Sequence, residues 1–308
     1  MPAVFLPKQL IDSRELSAGM RADPQAVIET AEERYRRDIE ALARSLADSG
    51  CSVAMLSGPS ASGKTTSAHK LAETLGRLGR PTEVVSLDDF FLNIAQYPLD
   101  ENGEKDYESP YALDLAEFSR CMEQLLRERQ ALFPLFDFTT QSRRAERRPV
   151  SLSDSGMLLI EGIHALNPLL FGGSMPAAVT RVYIGLRNEY RLPEGLLTTR
   201  EIRIVRRLIR DDRFRAYPPD RTLAVWDGIV RGEERWIKPF KTQADLLLNA
   251  SFAYEPCLYR RIIESFADGQ PAGVYRDTLN DLARKLACFE PADEALVPPD
   301  ATIREFIG

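Results

Sequence analysis

Residues 56–71 read LSGPSASGKTTSAHKL, and the spacing Gly58-x-x-x-x-Gly63-Lys64-Thr65 within them decides the fold. This is a phosphate-binding loop (P-loop) signature. Its small residues let consecutive backbone N–H groups turn inward onto phosphate oxygens, Lys64 reaches the β- and γ-phosphates, and the Thr65 hydroxyl ligates Mg²⁺. At ordinary glycine usage the four fixed positions arise by chance in roughly one chain in a hundred of this length. The flanks narrow the reading further. Residues 51–58 (CSVAMLSG) form a short apolar run of strand type, and residues 64–79 carry Leu71, Leu75 and Leu78 at helical spacing with Gly79 as a stop. Strand, loop and helix place a helix N-terminus against the anion. The loop residues Gly58, Ser60, Ala61, Ser62, Gly63, Lys64, Thr65 and Thr66 are expected to hold a nucleoside triphosphate.

The 308 residues are 44% hydrophobic, enough for one large α/β domain or two smaller ones. A net charge of −6 gives no global basic footprint, which argues against a nucleic-acid partner. No apolar run approaches the ~18 residues of a membrane span, and residues 1–16 show no long apolar leader. Four scattered cysteines without a C-x-x-C pair read as reduced thiols of a cytoplasmic protein. Two histidines, His69 and His164, argue against a His-based zinc site and read as structural or surface residues.

Residues 1–22 show no clear periodicity, whereas Asp23-Pro24 opens a long amphipathic helix with Val27, Ile28, Ala31, Tyr35, Ile39, Leu42 and Leu46 on one side, up to Gly50. Further strands are expected at 82–89, 155–163, 180–186 and 244–251. Helices are expected at 112–129, around 165–171 and at 198–214. This alternation implies a parallel sheet covered by helices on both faces. The reading divides the chain into an N-terminal extension over 1–50 and a kinase domain over 51–308. That domain carries a substrate arm at about 92–149 and an arginine-rich lid at about 198–240. The proline-bearing stretch 270–300 reads as peripheral.

Three groups surround the phosphate loop. Asp88 and Asp89 end a strand of a parallel sheet, where a carboxylate can accept the proton of an attacking hydroxyl or hold Mg²⁺ through water; a pair of turn formers is the alternative. Glu161 ends the apolar strand MLLIE and suits the Mg²⁺ shell, the alternative being a helix cap. Residues 200–215 carry Arg200, Arg203, Arg206, Arg207, Arg210, Arg213 and Arg215, with Arg203, Arg207 and Arg210 on one side of a helix. Such arginines closing over a γ-phosphate neutralise transition-state charge; a solvated face paired with Glu201, Asp211 and Asp212 is the plainer reading.

Through GPSASGKTT, SLDDFF, DYESPYALDL, PLFDFTTQSRR, LLIEGIHALNP, RRLIRDDRFR, RGEERWIKPFKTQADLLLNAS and VPPDATIREFIG, the chain from about residue 23 onward resembles the uridine/cytidine kinase branch of the phosphoribulokinase–uridine kinase superfamily. It looks closest to the kinase part of bacterial nucleoside kinases in which a TGS domain comes first, although the residues before the initial helix leave no room for one. The resemblance implies a P-loop NTPase of nucleoside-monophosphate-kinase-like α/β fold. It implies transfer of the γ-phosphoryl of ATP or GTP to a nucleoside 5′-hydroxyl, with Mg²⁺ as cofactor. By match to the family, Asp88 is the catalytic base and a substrate and metal contact, Lys64 and Thr65 serve phosphate and Mg²⁺, and Glu161 belongs to the Mg²⁺ shell. Glu108 stands where the pyrimidine kinases place an Asp on the ribose hydroxyls. Arg207, Arg210 and Arg215 match lid arginines, with Tyr217 in place of another. The base-reading arm departs from the family pattern of a Tyr and a His. It offers Phe136, Phe138 and Gln141 instead, and Gln141 can pair with a uracil or a cytosine edge.

The expectation is therefore a Mg²⁺-ATP-dependent small-molecule kinase acting on a nucleoside. It has no nucleic-acid or membrane partner and leaves homo-oligomerisation open. A kinase for another hydroxylated metabolite, such as a sugar or sugar phosphate, is the second reading. A non-catalytic NTP-binding switch is the third.

Overall fold

The computed structural model describes residues 7–173, 175–176 and 178–308. The first six residues of the expected N-terminal extension and of the stretch read for a leader lie outside them. In chain order the strands are β1 (Gln9–Asp12), β2 (Val53–Ser57), β3 (Thr82–Ser86), β4 (Gln130–Phe133), β5 (Phe136–Asp137), β6 (Ser142–Arg143), β7 (Arg148–Ser151), β8 (Met157–Glu161), β9 (Val179–Gly185), β10 (Asn188–Arg191), β11 (Leu196–Leu197) and β12 (Leu246–Asn249). The α-helices are α1 (Ser13–Ala22), α2 (Pro24–Asp48), α3 (Lys64–Arg77), α4 (Leu115–Glu128), α5 (Thr199–Arg215), α6 (Pro219–Trp236), α7 (Glu255–Gly269), α8 (Val274–Leu286) and α9 (Arg304–Ile307).

The central sheet runs β12-β9-β2-β8-β3 and is parallel throughout. Its middle strands are continuously apolar because both faces are covered. Leu56, Leu159, Val182 and Ile184 face the α2, α3 and α5 side, while Met55, Leu158, Ile160 and Tyr183 face the α4 side. The α/β class is therefore as the sequence implied.

Several boundaries differ, for local reasons. The strand expected over 82–89 stops at Ser86, whose hydroxyl accepts the Asp88 N–H (3.3 Å) and bends 87–90 into a 3₁₀ turn. The helix around 165–171 is only a 3₁₀ turn, Pro168–Phe171, begun by the Asn167 side chain. Within the stretch that showed no periodicity, residues 9–22 are structured: β1 adds in parallel to β10, and Asp12 caps α1. Helix α2 starts where Asp23-Pro24 predicted, and its buried stripe of Ile28, Tyr35, Ile39, Leu42 and Leu46 joins the same core as α3.

The 270–300 stretch is not peripheral. Helix α8 packs on α7, and Leu279, Leu282, Leu286, Phe289 and Val297 lie inside the main core. Its prolines flank the helix rather than interrupt it, so it was legible as two ends and not as a buried middle. Leu279→Ala is therefore expected to lower the unfolding free energy by ~2–5 kcal/mol in urea denaturation, the range for emptying a buried leucine site. A change within experimental error would return this region to the periphery.

Candidate active site

The phosphate loop is shaped by what touches it from behind. Gly58 passes the neighbouring strand so closely that a Cβ there would lie 2.0 Å from the Ile184 carbonyl oxygen. Gly63 takes a left-handed φ of 82° and becomes the N-cap of α3. The Ser67 hydroxyl then donates to the Gly63 carbonyl (2.6 Å) and steadies the first turn. Helix α5 crosses over the loop and grips it three times. Arg203 Nε donates to the Ser60 carbonyl (2.8 Å), Arg206 Nη1 to the Ala61 carbonyl (3.4 Å) and Arg207 Nη1 to the Ser60 hydroxyl (2.7 Å).

Two of these arginines are braces rather than ligand groups. Arg206 is fully buried and forms a two-pronged pair with Glu255 (2.7 and 2.6 Å) while also donating to the Ala250 carbonyl (2.9 Å). Arg203 pairs with the buried Glu233. Sequence reasoning placed Arg203 with the lid group and gave Arg206 no role. The usable signal was Arg206's position, four residues after Ile202 and three before Ile209, inside the apolar stripe.

Arg207, Arg210 and Arg215 share one carboxylate. Asp211 lies 3.3, 2.8 and 3.5 Å from them, and the Thr222 hydroxyl donates to it as well (3.3 Å). Burial pushes the Asp211 carboxyl up, but Arg210, Arg207 and Arg215 together overcome this and hold it below the usual carboxylate range. Asp211 is the functional residue the sequence reading missed; there it counted only as a surface partner. Burial also lowers Arg215 to about 10. Its guanidinium sits 4.8 Å from the Phe138 ring centroid.

These groups open into one cavity of about 580 Å³ that brings together the phosphate loop with Asp88, Glu108, Phe138, Gln141, Arg207, Arg210 and Arg215. Lys64 currently donates to the Pro59 carbonyl (3.2 Å). Thr65 and Ser86 hydroxyls both donate to the same oxygen of Glu161 (3.1 and 2.7 Å), so the end of β8, the end of β3 and the start of α3 meet at one carboxylate. Burial and then the nearby Asp88 raise Glu161 to about 7. Asp88 is likewise raised by enclosure, opposed by Lys64, Arg215 and Arg210. Asp89 has a different job. Its Oδ1 accepts the Phe136 N–H (3.3 Å), and Arg143 donates to the Phe90 and Phe91 carbonyls, so the arm is strapped to the turn that carries Asp88.

The arm differs from expectation at one place. Phe136 is buried and packs edge-on against Phe91 and Phe138, so its ring does not line the cavity. Phe138, more than a third exposed, and Gln141 do. Gln141, with φ 54°, donates to the Tyr217 hydroxyl (3.4 Å), linking arm and lid.

Glu108 is the least compensated group in the site. Its Oε2 is buried without a hydrogen-bond partner among the described residues, and α6 approaches Glu108 so closely at Gly232 that a Cβ there would lie 2.3 Å from Glu108 Cβ. Burial, then Glu233, raises its pKa to about 8 against Arg207, Lys64 and Arg203. The folded protein thus holds a proton that the unfolded chain releases near 4.5, so this group's contribution to stability falls as pH rises from about 4.5 to about 8 and is then level. Glu108→Gln removes the dependence. In thermal melts from about pH 5 to about pH 9, the variant should gain on the parent progressively across that window. A constant difference would mean that Glu108 is ionised in the fold.

A model of the family described as "Phosphoribulokinase / Uridine kinase family" matches residues 53–252. The uridine kinase of Lactobacillus helveticus (strain DPC 4571) is 27% identical over 194 residues, covering 63% of this chain and 83% of the relative. The uridine kinase of Borrelia duttonii (strain Ly) is 26% identical over 212 residues, covering 68% and 91%. Among solved structures, a "putative fructose transport system kinase" from Silicibacter sp. TM1040 shares the fold, with a TM-score of 0.50 at 24% identity, covering 68% of this chain and 98% of the other.

Proposed function

The chain belongs to the phosphoribulokinase / uridine kinase family, and from that premise we propose that it transfers the γ-phosphoryl group of ATP to the 5′-hydroxyl of a nucleoside. The observation that carries the proposal is the placement of Asp88. It stands in the same cavity as the phosphate loop, beside Lys64 and between the arm and the lid arginines, where an acceptor hydroxyl approaching a γ-phosphate would meet it.

In this reading the Asp88 carboxylate accepts the hydroxyl proton as the oxygen attacks in line. Lys64 leaves the Pro59 carbonyl for the phosphate oxygens. Arg207, Arg210 and Arg215, already gathered on Asp211, meet the charge that develops on the transferred group without having to be assembled during the reaction. Thr65, Glu161 and Asp88 supply the oxygen ligands that suit Mg²⁺, which is typically held by one or two carboxylates together with the substrate's phosphates. Bound there, the ion would neutralise phosphate charge. Glu108, protonated at neutral pH, offers a ribose hydroxyl both a donor and an acceptor. Phe138 gives a base a face to stack on, and Gln141 reads its edge. Closing the lid excludes water, which would otherwise hydrolyse ATP. Four free cysteines support a cytoplasmic setting.

A second reading, a kinase for another hydroxylated metabolite, is favoured by one observation: Phe136, one of the rings expected to face a base, is withdrawn into the core and does not line the cavity. Against a non-catalytic switch stand Asp88, whose role as proton acceptor needs an attacking hydroxyl, and the acidic group Glu108 at the ribose position.

The deciding experiment is a phosphoryl-transfer screen with Mg²⁺-ATP against ribo- and deoxynucleosides, sugars and sugar phosphates, read by mass shift. Uridine or cytidine monophosphate is the expected product. Product from a sugar alone would replace the nucleoside reading with the second one. Asp88→Asn is expected to lose transfer by ~10²–10⁴-fold while ATP binding stays near the parent value, and Lys64→Ala to weaken both. Full turnover in Asp88→Asn would remove it as the base.

A further inference from the structure

A separate cavity of about 430 Å³ lies on the β9 side of the P-loop strand, opposite the β3 side that carries Asp88. It shares no lining residue with the catalytic cavity. Its walls are Pro59 at the back of the phosphate loop, the end of β9 and the N-terminus of α5. In a chain of net charge −6 it gathers Lys8, Arg187, Arg200, Arg203, Lys238 and Lys241, with Glu189 as its one lining carboxylate.

Most of these cations are already matched. Lys8 pairs with Glu189, Arg203 with Glu233, and both Arg200 and Lys238 with Glu234. Arg187 and Lys241 are different. Among the described residues neither side chain makes an ion pair or a hydrogen bond, although Arg187 is only 6% exposed and Lys241 is half-buried, its ammonium 5.3 Å from the Tyr183 ring centroid. Burial, then Arg187, Lys238 and Lys8, hold the Lys241 amine below its ordinary range, as expected of cations crowded without a counter-charge. An arginine this enclosed with no partner among the described residues is expensive, and an anion between these two groups would relieve it. The helix adds to this. The capping box of α5 uses the N–H groups of Thr198 and Glu201 and leaves those of Thr199 and Arg200 without helical partners at the positive end of a 17-residue helix.

We propose that this cavity binds a small phosphorylated molecule, its phosphate seated between Arg187 and Lys241 at the N-terminus of α5. A dianionic phosphate matches two cations unpaired among the described residues and a helix terminus. The volume exceeds what inorganic phosphate fills, and Tyr183 and Leu186 offer surface to an organic remainder. The site is independent of which acceptor the catalytic cavity takes.

The test uses the full chain carrying Lys64→Ala, so that the catalytic loop competes little for phosphates. Inorganic phosphate, diphosphate, ribose 5-phosphate and uridine monophosphate are titrated by calorimetry, with thermal melts alongside. One-to-one saturable binding of at least one probe is expected, weakened about tenfold or more by Lys241→Gln and by Arg187→Gln. Lys241 is half-buried, so its variant keeps the test readable if Arg187→Gln does not fold. Organic probes binding far tighter than phosphate and diphosphate identify a metabolite, and equal binding of all four identifies the phosphate group alone as the ligand. Failure of all four probes to saturate overturns the proposal. So does binding that Lys241→Gln leaves unchanged, since the ligand then sits elsewhere.

Discussion

The buried pair of Arg206 with Glu255 fixes where the phosphate loop can lie. Removing both charges from water is costly, and the pair is tolerable only because its remaining valences are filled. Arg206 also donates to the Ala250 and Ala61 carbonyls, and Glu255 accepts the Phe252 N–H (2.6 Å). The same few atoms therefore join α5, α7, the chain leaving β12 and the loop itself. The cation stands close behind the anion site without being free to enter it, so the loop's position is set before any nucleotide arrives. Preorganisation of this kind is where phosphoryl-transfer sites obtain most of their effect.

The arginines of α5 divide by depth along the helix. Arg203 and Arg206 face carboxylates in the core, while Arg207, Arg210 and Arg215 converge on Asp211 at the cavity wall. One acid shared by three bases leaves a net positive cluster that is held in place yet still attracts an anion. The arm is treated similarly. Asp89 and Arg143 are spent on fastening it to the Asp88 turn, and Phe138 and Gln141 are left for whatever enters.

What the sequence disclosed was what is local. The phosphate loop, the strand end bearing Glu161 and the start of α2 at Asp23-Pro24 all rest on spacings of a few residues and stand where those spacings put them, whereas Asp88 follows its strand in a 3₁₀ turn. What stayed hidden depends on partners far along the chain. Arg206 needs Glu255 and Arg203 needs Glu233, pairings no periodicity announces. Phe136 and Phe138 are equal as letters two apart. The β5–β6 pairing and the Phe91 ring decide which of them turns inward. Strand β1 is too short and too exposed to show a pattern and is defined only by β10 beside it. Helix α8 was masked by its flanking prolines.

Helix α5 is held along its length: Arg203 and Arg206 tie it to Glu233 of α6 and Glu255 of α7, and beyond them Arg207 holds Ser60 and Arg213 holds Glu294. The chain turns at Ala216, which holds a left-handed φ of 53° between α5 and the Pro218 that precedes α6. Because the Arg203–Glu233 pair joins α5 to α6, the helix that presses Gly232 against Glu108 is tied to the same core as the phosphate loop. The grip on the phosphate loop and the wall behind Glu108 are thus mechanically coupled: Arg203 holds the Ser60 carbonyl and Glu233 of α6 at once, so neither can shift without straining the other.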